Sequence, residues 1–239
     1  MSTDSSHWQW TLGNVNFNVV QGDLFKIHVD AIVNSEQTDF NLAWYQSTIS
    51  GRIRREFGVE VQPQLMEQTQ GETMPVGTVL ETSGGRYRVI FHAGFHHPQS
   101  WLCDTEDENG TEHLSVIRGC VRQILNRSLE LNLKSVAFPL IGCGNFGLSD
   151  ALLASEFFSE LFQFSNDAKE PLDVWLTVYQ PELMQSVVQA GVQTWLESLP
   201  STSSWDPLRL SIPYLDQFEQ QVVRSNHTQW AAWMAVRYA

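Results

Sequence analysis

The chain has 239 residues, 42% of them hydrophobic and 11% aromatic, which is enough apolar material for one large domain or two small ones. A disordered, collagen-like or fibrous chain is excluded on that composition. With 14 Lys and Arg against 27 Asp and Glu, the formal net charge of −13 repels a phosphate backbone and an anionic membrane, so a duplex-coating nucleic-acid binder is excluded too. One small anionic ligand can still be held locally by backbone N–H groups. Cys103, Cys120 and Cys143 match neither a disulfide framework nor a zinc site, which suits a reducing compartment. The first ten residues lack the pattern of a secretory leader, and no run of about 18 apolar residues exists. The expectation is a soluble, cytoplasmic protein.

In chain order, residues 15–21 read as a strand, with Val15, Phe17 and Val19 on one side and Asn16 and Asn18 on the other. Residues 28–33, with Ile32 and Val33, read as a short strand buried on both faces. Four more strands are expected at 76–82, 88–93, 135–140 and 173–179, with Gly84-Gly85 as the turn between the first two. Leu114, Ile117, Val121, Ile124 and Leu125 fall at helical spacing behind Thr111 as N-cap. Ser149-Asp150 opens a helix carrying Leu153, Phe157, Leu161 and Phe162, and a third helix is expected from about 181 to 196. Strands alternating with such helices predict an α/β fold with helices on both faces of a sheet. The acidic stretch 103–110 reads as a solvated loop.

Pro, Ser and Thr dominate residues 199–207 and mark a boundary between a main domain over 1–198 and a linker with a helical extension over 199–239. The extension has two apolar stripes, Leu215, Phe218 and Val222, then Trp230, Trp233, Met234 and Tyr238. It is too short for a core of its own and is expected to pack back on the main domain, with contact to a protein partner as the alternative.

The densest local signal is Gly142-Cys143-Gly144-Asn145-Phe146-Gly147, between a buried strand and the helix at Ser149. Glycines let successive N–H groups converge on a diphosphate, although a tight strand-to-helix turn uses the same residues. The Lys-Ser/Thr ending of a P-loop and the spacing of a dinucleotide fingerprint are both missing. Asp150 competes for the helix N-terminus, so a phosphate would sit earlier, over residues 142–146. After the first strand comes Gly22-Asp23-Leu24, where a carboxylate can accept from an exocyclic amine such as N6 of adenine, or simply serve as a cap. His96-His97-Pro98 makes no metal pair, because adjacent histidines on an extended segment point to opposite sides, and no metal is expected.

Taken together in order, these stretches resemble a macrodomain. The matching text is Gly22-Asp23-Leu24, Asp30-Ala31-Ile32-Val33-Asn34, Ser50-Gly51-Arg52-Ile53-Arg54, Pro75-Val76-Gly77, Val89-Ile90-Phe91-His92-Ala93 and Leu133-Lys134-Ser135-Val136-Ala137-Phe138-Pro139, running into the glycine loop. The resemblance spans about residues 15–196. It implies a three-layer α/β/α sandwich with a mixed central sheet, and a crevice at the strand ends that binds ADP-ribose or an NAD-derived nucleotide. ADP-ribose or an ADP-ribosylated macromolecule is then the implied partner, with no cofactor. Asp23, with Leu24, matches the adenine-reading position, and Asn34 matches a residue lining the distal ribose. Gly142, Cys143, Gly144, Asn145 and Phe146 match the phosphate loop, Phe146 packing on the distal ribose, and Tyr179 sits where a ring rests against adenine. His92 corresponds to a hydrogen-bonding scaffold residue.

Departures from the family's hydrolases concern mechanism. Their second Asn is Gln37 here, with Ser35 and Glu36 between, and their Gly-rich loop is replaced by residues 38–49, which include Phe40, Trp44 and Tyr45. Their Asp is Ser50, which joins the ligand-binding set but cannot act as a general base. Glu36 and Asp39 remain as candidate catalytic carboxylates, although the favoured reading of both is as solvated loop residues. Trp44 and Tyr45 either close over a ligand or pack in the core, and Arg52, Arg54 and Arg55 either offset ligand charge or solvate a helix. The leading expectation is a nucleotide-binding module. The alternatives are a hydrolase that removes ADP-ribose from a modified substrate, and a degenerate macrodomain used as a protein-interaction scaffold.

Overall fold

The central strands carry apolar side chains on both faces, so helices have to cover the sheet on both. In the computed structural model, Ile32, Ile90 and Ala137 point into one apolar cluster, while Val33, Phe91, Val136 and Phe138 point into another. The structure describes residues 7–45, 47–96, 98, 111–141 and 149–198, the side chains of 111–113 and 195–198 excepted. The acidic stretch, the glycine-rich residues 142–147 and the extension over 199–239 lie outside the described residues.

The elements are β1 (His7–Leu12), β2 (Val15–Gln21), β3 (Ala31–Gln37), α1 (Ile49–Thr69), β4 (Val79–Gly84), β5 (Tyr87–His96), α2 (Thr111–Glu130), β6 (Ser135–Pro139), α3 (Asp150–Asp167), β7 (Leu172–Val178) and α4 (Met184–Ser198). The sheet order is β1-β2-β7-β6-β3-β5-β4. Pairings from β2 through β5 are parallel, and β1 and β4 close the two edges antiparallel. Helix α1 packs Ile53, Val61 and Leu65 on one face. The opposite face is covered by α2, α3 and α4 through Ile117, Val121, Phe158, Leu161 and Val187. The result is a three-layer α/β/α sandwich on a mixed sheet, as the alternation of elements predicts. Helices α3 and α4 approach closely at Gly191, where a Cβ would stand 2.4 Å from the Phe158 ring. No helix among the described residues is long and apolar enough to cross a membrane.

Two departures from the sequence reading matter for the site. Strand β3 starts at Ala31 and continues to Gln37, where the sequence reading ends it at Val33. It continues because β5 pairs with it in register from Ala31↔Val89 to Glu36↔Gly94, and Asp30 instead accepts the Lys134 N–H at 2.6 Å. Strand β1 has no counterpart in the sequence reading. The shared direction of β2, β7, β6, β3 and β5 brings their carboxyl ends to one edge, where open α/β sheets place their ligands.

Candidate functional site

β2 and β7 run in register to Gln21↔Val178, and the Gly22 N–H donates to the Val178 carbonyl at 3.0 Å. That bond fixes Asp23 beside the exit of β7, where Tyr179 stands 79% exposed. Asp23 caps the single turn Leu24–Lys26, with Oδ1 accepting from the Phe25 N–H at 3.0 Å. Its Oδ2 accepts from Arg52 Nη1 at 2.6 Å. Arg52 also donates from Nε to Glu56 at 2.7 Å, and its guanidinium carbon lies 4.1 Å from the Phe25 ring centroid. Partial burial acts to raise the Asp23 pKa, but Arg52 and the Phe25 N–H outweigh it and hold the carboxyl below its usual value. Asp23 is therefore ionised at neutral pH. Leu24 turns its side chain into the core beneath α1.

Beside it, β3 carries a buried polar chain. Glu36 Oε2 accepts from the Ser50 hydroxyl and from Asn34 Nδ2 (3.2 Å), and Oε1 accepts from the Gln37 N–H at 3.1 Å. Ser50, in the first turn of α1, in turn accepts the Ala43 N–H at 2.8 Å. Asn34 Nδ2 also donates to His92 Nδ1 at 3.2 Å, which leaves the imidazole proton on Nε2, donated to Thr82 Oγ1 at 2.8 Å. Ser50, Glu36, Asn34, His92 and Thr82 are all buried, and Asn34 Oδ1 is buried without a hydrogen-bond partner among the described residues. Desolvation pushes the Glu36 carboxyl up to about 7, against three hydrogen bonds that favour its ionised form. Burial also takes His92 down to about 3, so it is neutral. Glu36 is thus a strand residue sealed beneath the loop, and the reading of it as a solvated loop carboxylate does not hold.

Residues 38–45 and Thr48 are tied to the start of α1 by hydrogen bonds. Thr48 caps the helix by accepting the Gly51 N–H at 3.0 Å, and its own N–H and hydroxyl return to the Tyr45 carbonyl at 3.1 and 2.8 Å. Gly51 permits this approach, since a Cβ there would lie 1.9 Å from the Tyr45 oxygen. Asp39 Oδ1 accepts from the Asn41 N–H at 3.2 Å, closing a small turn. Trp44 and Tyr45 are each 77% exposed, which removes the core-packing alternative for both. The Trp44 ring is covered by the Arg54 guanidinium at 3.4 Å. Asp150 accepts the Ser186 hydroxyl from α4.

The structure therefore brings Asp23 and Tyr179 together on neighbouring strand ends. It joins Asn34, Glu36 and Ser50 in one buried chain and leaves Asp39 in a separate surface turn. Gly142, Cys143, Gly144, Asn145 and Phe146 lie outside the described residues. Sequence reasoning missed the Arg52 contact to Asp23, because nothing in a separation of 29 residues marks the two as partners. It also missed the Asn34–His92–Thr82 relay, for which strand pairing was the needed signal.

A family model described as the macro domain matches residues 33–155. The chain belongs to the macrodomain family. Among macrodomain relatives, the human protein mono-ADP-ribosyltransferase PARP14 is 30% identical over 157 residues, covering 64% of this chain, which spans only 8% of that protein. The O-acetyl-ADP-ribose deacetylase of Citrobacter rodentium is 27% identical over 174 residues, covering 71% of this chain and 91% of that one. An Oceanobacillus iheyensis macrodomain solved with ADP superposes with a TM-score of 0.64 at 20% identity, covering 81% of this chain and 98% of its own.

Proposed function

We propose that this macrodomain binds ADP-ribose, or the ADP-ribosyl group of a modified macromolecule or NAD-derived nucleotide, at the carboxyl ends of β2, β7, β6 and β3. The observation that carries the reading is the pairing of an ionised Asp23 with the exposed ring of Tyr179 on adjacent strand ends, tied by the Gly22–Val178 hydrogen bond. A carboxylate accepts from base N–H groups, and an exposed ring offers a π face to the base. The glycine-rich sequence 142–147 comes shortly after β6 in the chain, and glycine-rich stretches are a source of N–H groups for a diphosphate in a chain of net charge −13. The ADP in the Oceanobacillus iheyensis structure, and the O-acetyl-ADP-ribose in the Citrobacter rodentium protein's name, support the same ligand class.

Binding fits the carboxylates better than hydrolysis does. A general base needs an open lone pair within reach of water. Glu36 is 6% exposed, so burial keeps its carboxylate out of reach of water, and three of its about four acceptor positions are already filled. Asp39 closes its own turn, and Ser50 is committed to Glu36 and Ala43. Calorimetric titration with ADP-ribose, with AMP and NAD alongside, tests the proposal. Micromolar ADP-ribose binding, tighter than AMP and weakened by about 1–3 kcal/mol in Asp23→Ala, is the expected result. No heat and no thermal stabilisation at millimolar ligand would refute it.

A further inference from the structure

We propose that Arg52 is a positioning residue of this site: with Phe25 it braces the Asp23 carboxylate in the orientation from which it accepts the exocyclic amine of adenine. The inference rests on the nucleotide reading of the same crevice and deepens it.

An aspartate at a strand end is loosely oriented by itself. Rotation about its Cβ–Cγ bond is broad, and one hydrogen bond to one oxygen does not fix the carboxylate plane. Asp23 is held twice, from two different elements. Its Oδ1 accepts from the Phe25 N–H at 3.0 Å, and its Oδ2 accepts from Arg52 Nη1 at 2.6 Å. The circuit closes where the Arg52 guanidinium carbon lies 4.1 Å from the centroid of the Phe25 ring. Phe25 is buried in the apolar cluster beneath α1, with Leu24 and Ile53, so the brace is anchored in the core. Arg52 is pinned again by Glu56, one turn along α1, at 2.7 Å. The first turn of α1 is in turn fixed to β3 by the Ser50 hydroxyl on Glu36.

A guanidinium on the reading carboxylate could instead be a competitor that the ligand displaces, and the geometry decides against that. Glu56 and the Phe25 ring hold Arg52 in place independently of Asp23. Each Asp23 oxygen carries one hydrogen bond among the described residues, which leaves room for an amine because a carboxylate has about four acceptor positions. At 20% exposure the Asp23 side chain still reaches the surface. Against the effect of partial burial, Arg52, the Phe25 N–H and the charge of Lys26 keep its carboxyl ionised. The amine therefore meets an acceptor that is already charged and oriented, and the rotational freedom of the carboxylate is lost on folding and not on binding.

The test is calorimetric titration with ADP-ribose, ADP and purine riboside 5′-diphosphate, which carries hydrogen in place of the 6-amine. The proteins are wild type, Arg52→Ala, Arg52→Lys, Asp23→Ala and the double variant of Asp23→Ala with Arg52→Ala. Wild type is expected to bind ADP about tenfold more tightly than the analogue without the amine, as for one hydrogen bond to a charged group. Arg52→Ala should weaken ADP-ribose about fivefold and bring the two diphosphates within about twofold of each other, by weakening ADP alone. In the Asp23→Ala background the same change should have no further effect, because residues that act as a unit are not additive. Arg52→Lys keeps the charge without the fork that holds Asp23 and Glu56 together. It should keep only part of the preference, and it carries the comparison where Arg52→Ala does not fold. Equal or tighter ADP-ribose binding by Arg52→Ala overturns the inference, as do equal losses for the two diphosphates, additive losses in the double variant, or a full preference in Arg52→Lys. ADP-ribose binding that Asp23→Ala leaves unchanged removes the amine contact and the inference with it, while nucleotide binding stands. No ADP-ribose binding by wild type refutes the nucleotide reading and the inference together.

Discussion

Replacing Glu36 by Gln should remove a pH dependence of folding that the wild-type chain carries in its core. The Glu36 carboxyl rises from its ordinary 4.5 to about 7, chiefly through desolvation. A carboxyl whose folded pKa lies above its unfolded value contributes stability that is fully present below about pH 4.5 and is lost as pH rises through about 7. The whole shift corresponds to about 3 kcal/mol, most of which falls between pH values of about 5 and 8. Gln has the same shape and never carries charge; its oxygen can keep the Gln37 N–H while its amide donates to the Ser50 oxygen, and the lost Asn34 contact is a cost that does not vary with pH. Urea unfolding of both proteins across that range isolates the effect, since other titrating groups cancel in the difference. The stability of Glu36→Gln relative to wild type should grow by about 2–3 kcal/mol from about pH 5 to 8, or roughly 5–10 °C in melting temperature. A difference that stays flat across the range would refute the buried, proton-binding state of Glu36.

Other outcomes follow from close contacts and from exposure. Gly51→Ala places a methyl 1.9 Å from the Tyr45 carbonyl oxygen and should cost about 3 kcal/mol, read as a lower denaturation midpoint. Gly191→Ala drives its methyl into the Phe158 ring at 2.4 Å and should cost about 2 kcal/mol by the same measurement. Tyr179→Ala should leave the melting temperature unchanged, because the ring is 79% exposed, while ADP-ribose affinity measured by calorimetry drops by about 1–3 kcal/mol.

Layering and the central strands were legible because buried parallel strands are near-continuous apolar runs. Residues 15–21 coincide with β2, and Leu114 to Leu125 lie inside α2. Asp23 and Tyr179 could be placed because each directly follows such a run. Glu36 could not, since Asn34, Ser35, Glu36 and Gln37 look like the polar start of a loop. Only pairing with β5, and partners from α1 and β5 that accept and donate inside the core, make those residues a strand. The Asp23–Arg52 ion pair was hidden for a similar reason. It joins the end of one strand to the first turns of a helix, and local periodicity reports neither direction nor distance between elements.

The two strand ends that carry Asp23 and Tyr179 come from opposite ends of the described chain, with Asn16 of β2 reaching Asp173 of β7 across 157 residues. Hairpins such as β1–β2 and β4–β5 close over short loops, but this parallel pairing has to wait for nearly the whole polypeptide. A ribosome-bound or truncated chain that stops before β7 therefore has no crevice, however well its first half has folded. Ligand occupancy consequently couples to the last and longest loop closure, so a bound nucleotide would slow global unfolding and not merely quiet a local segment.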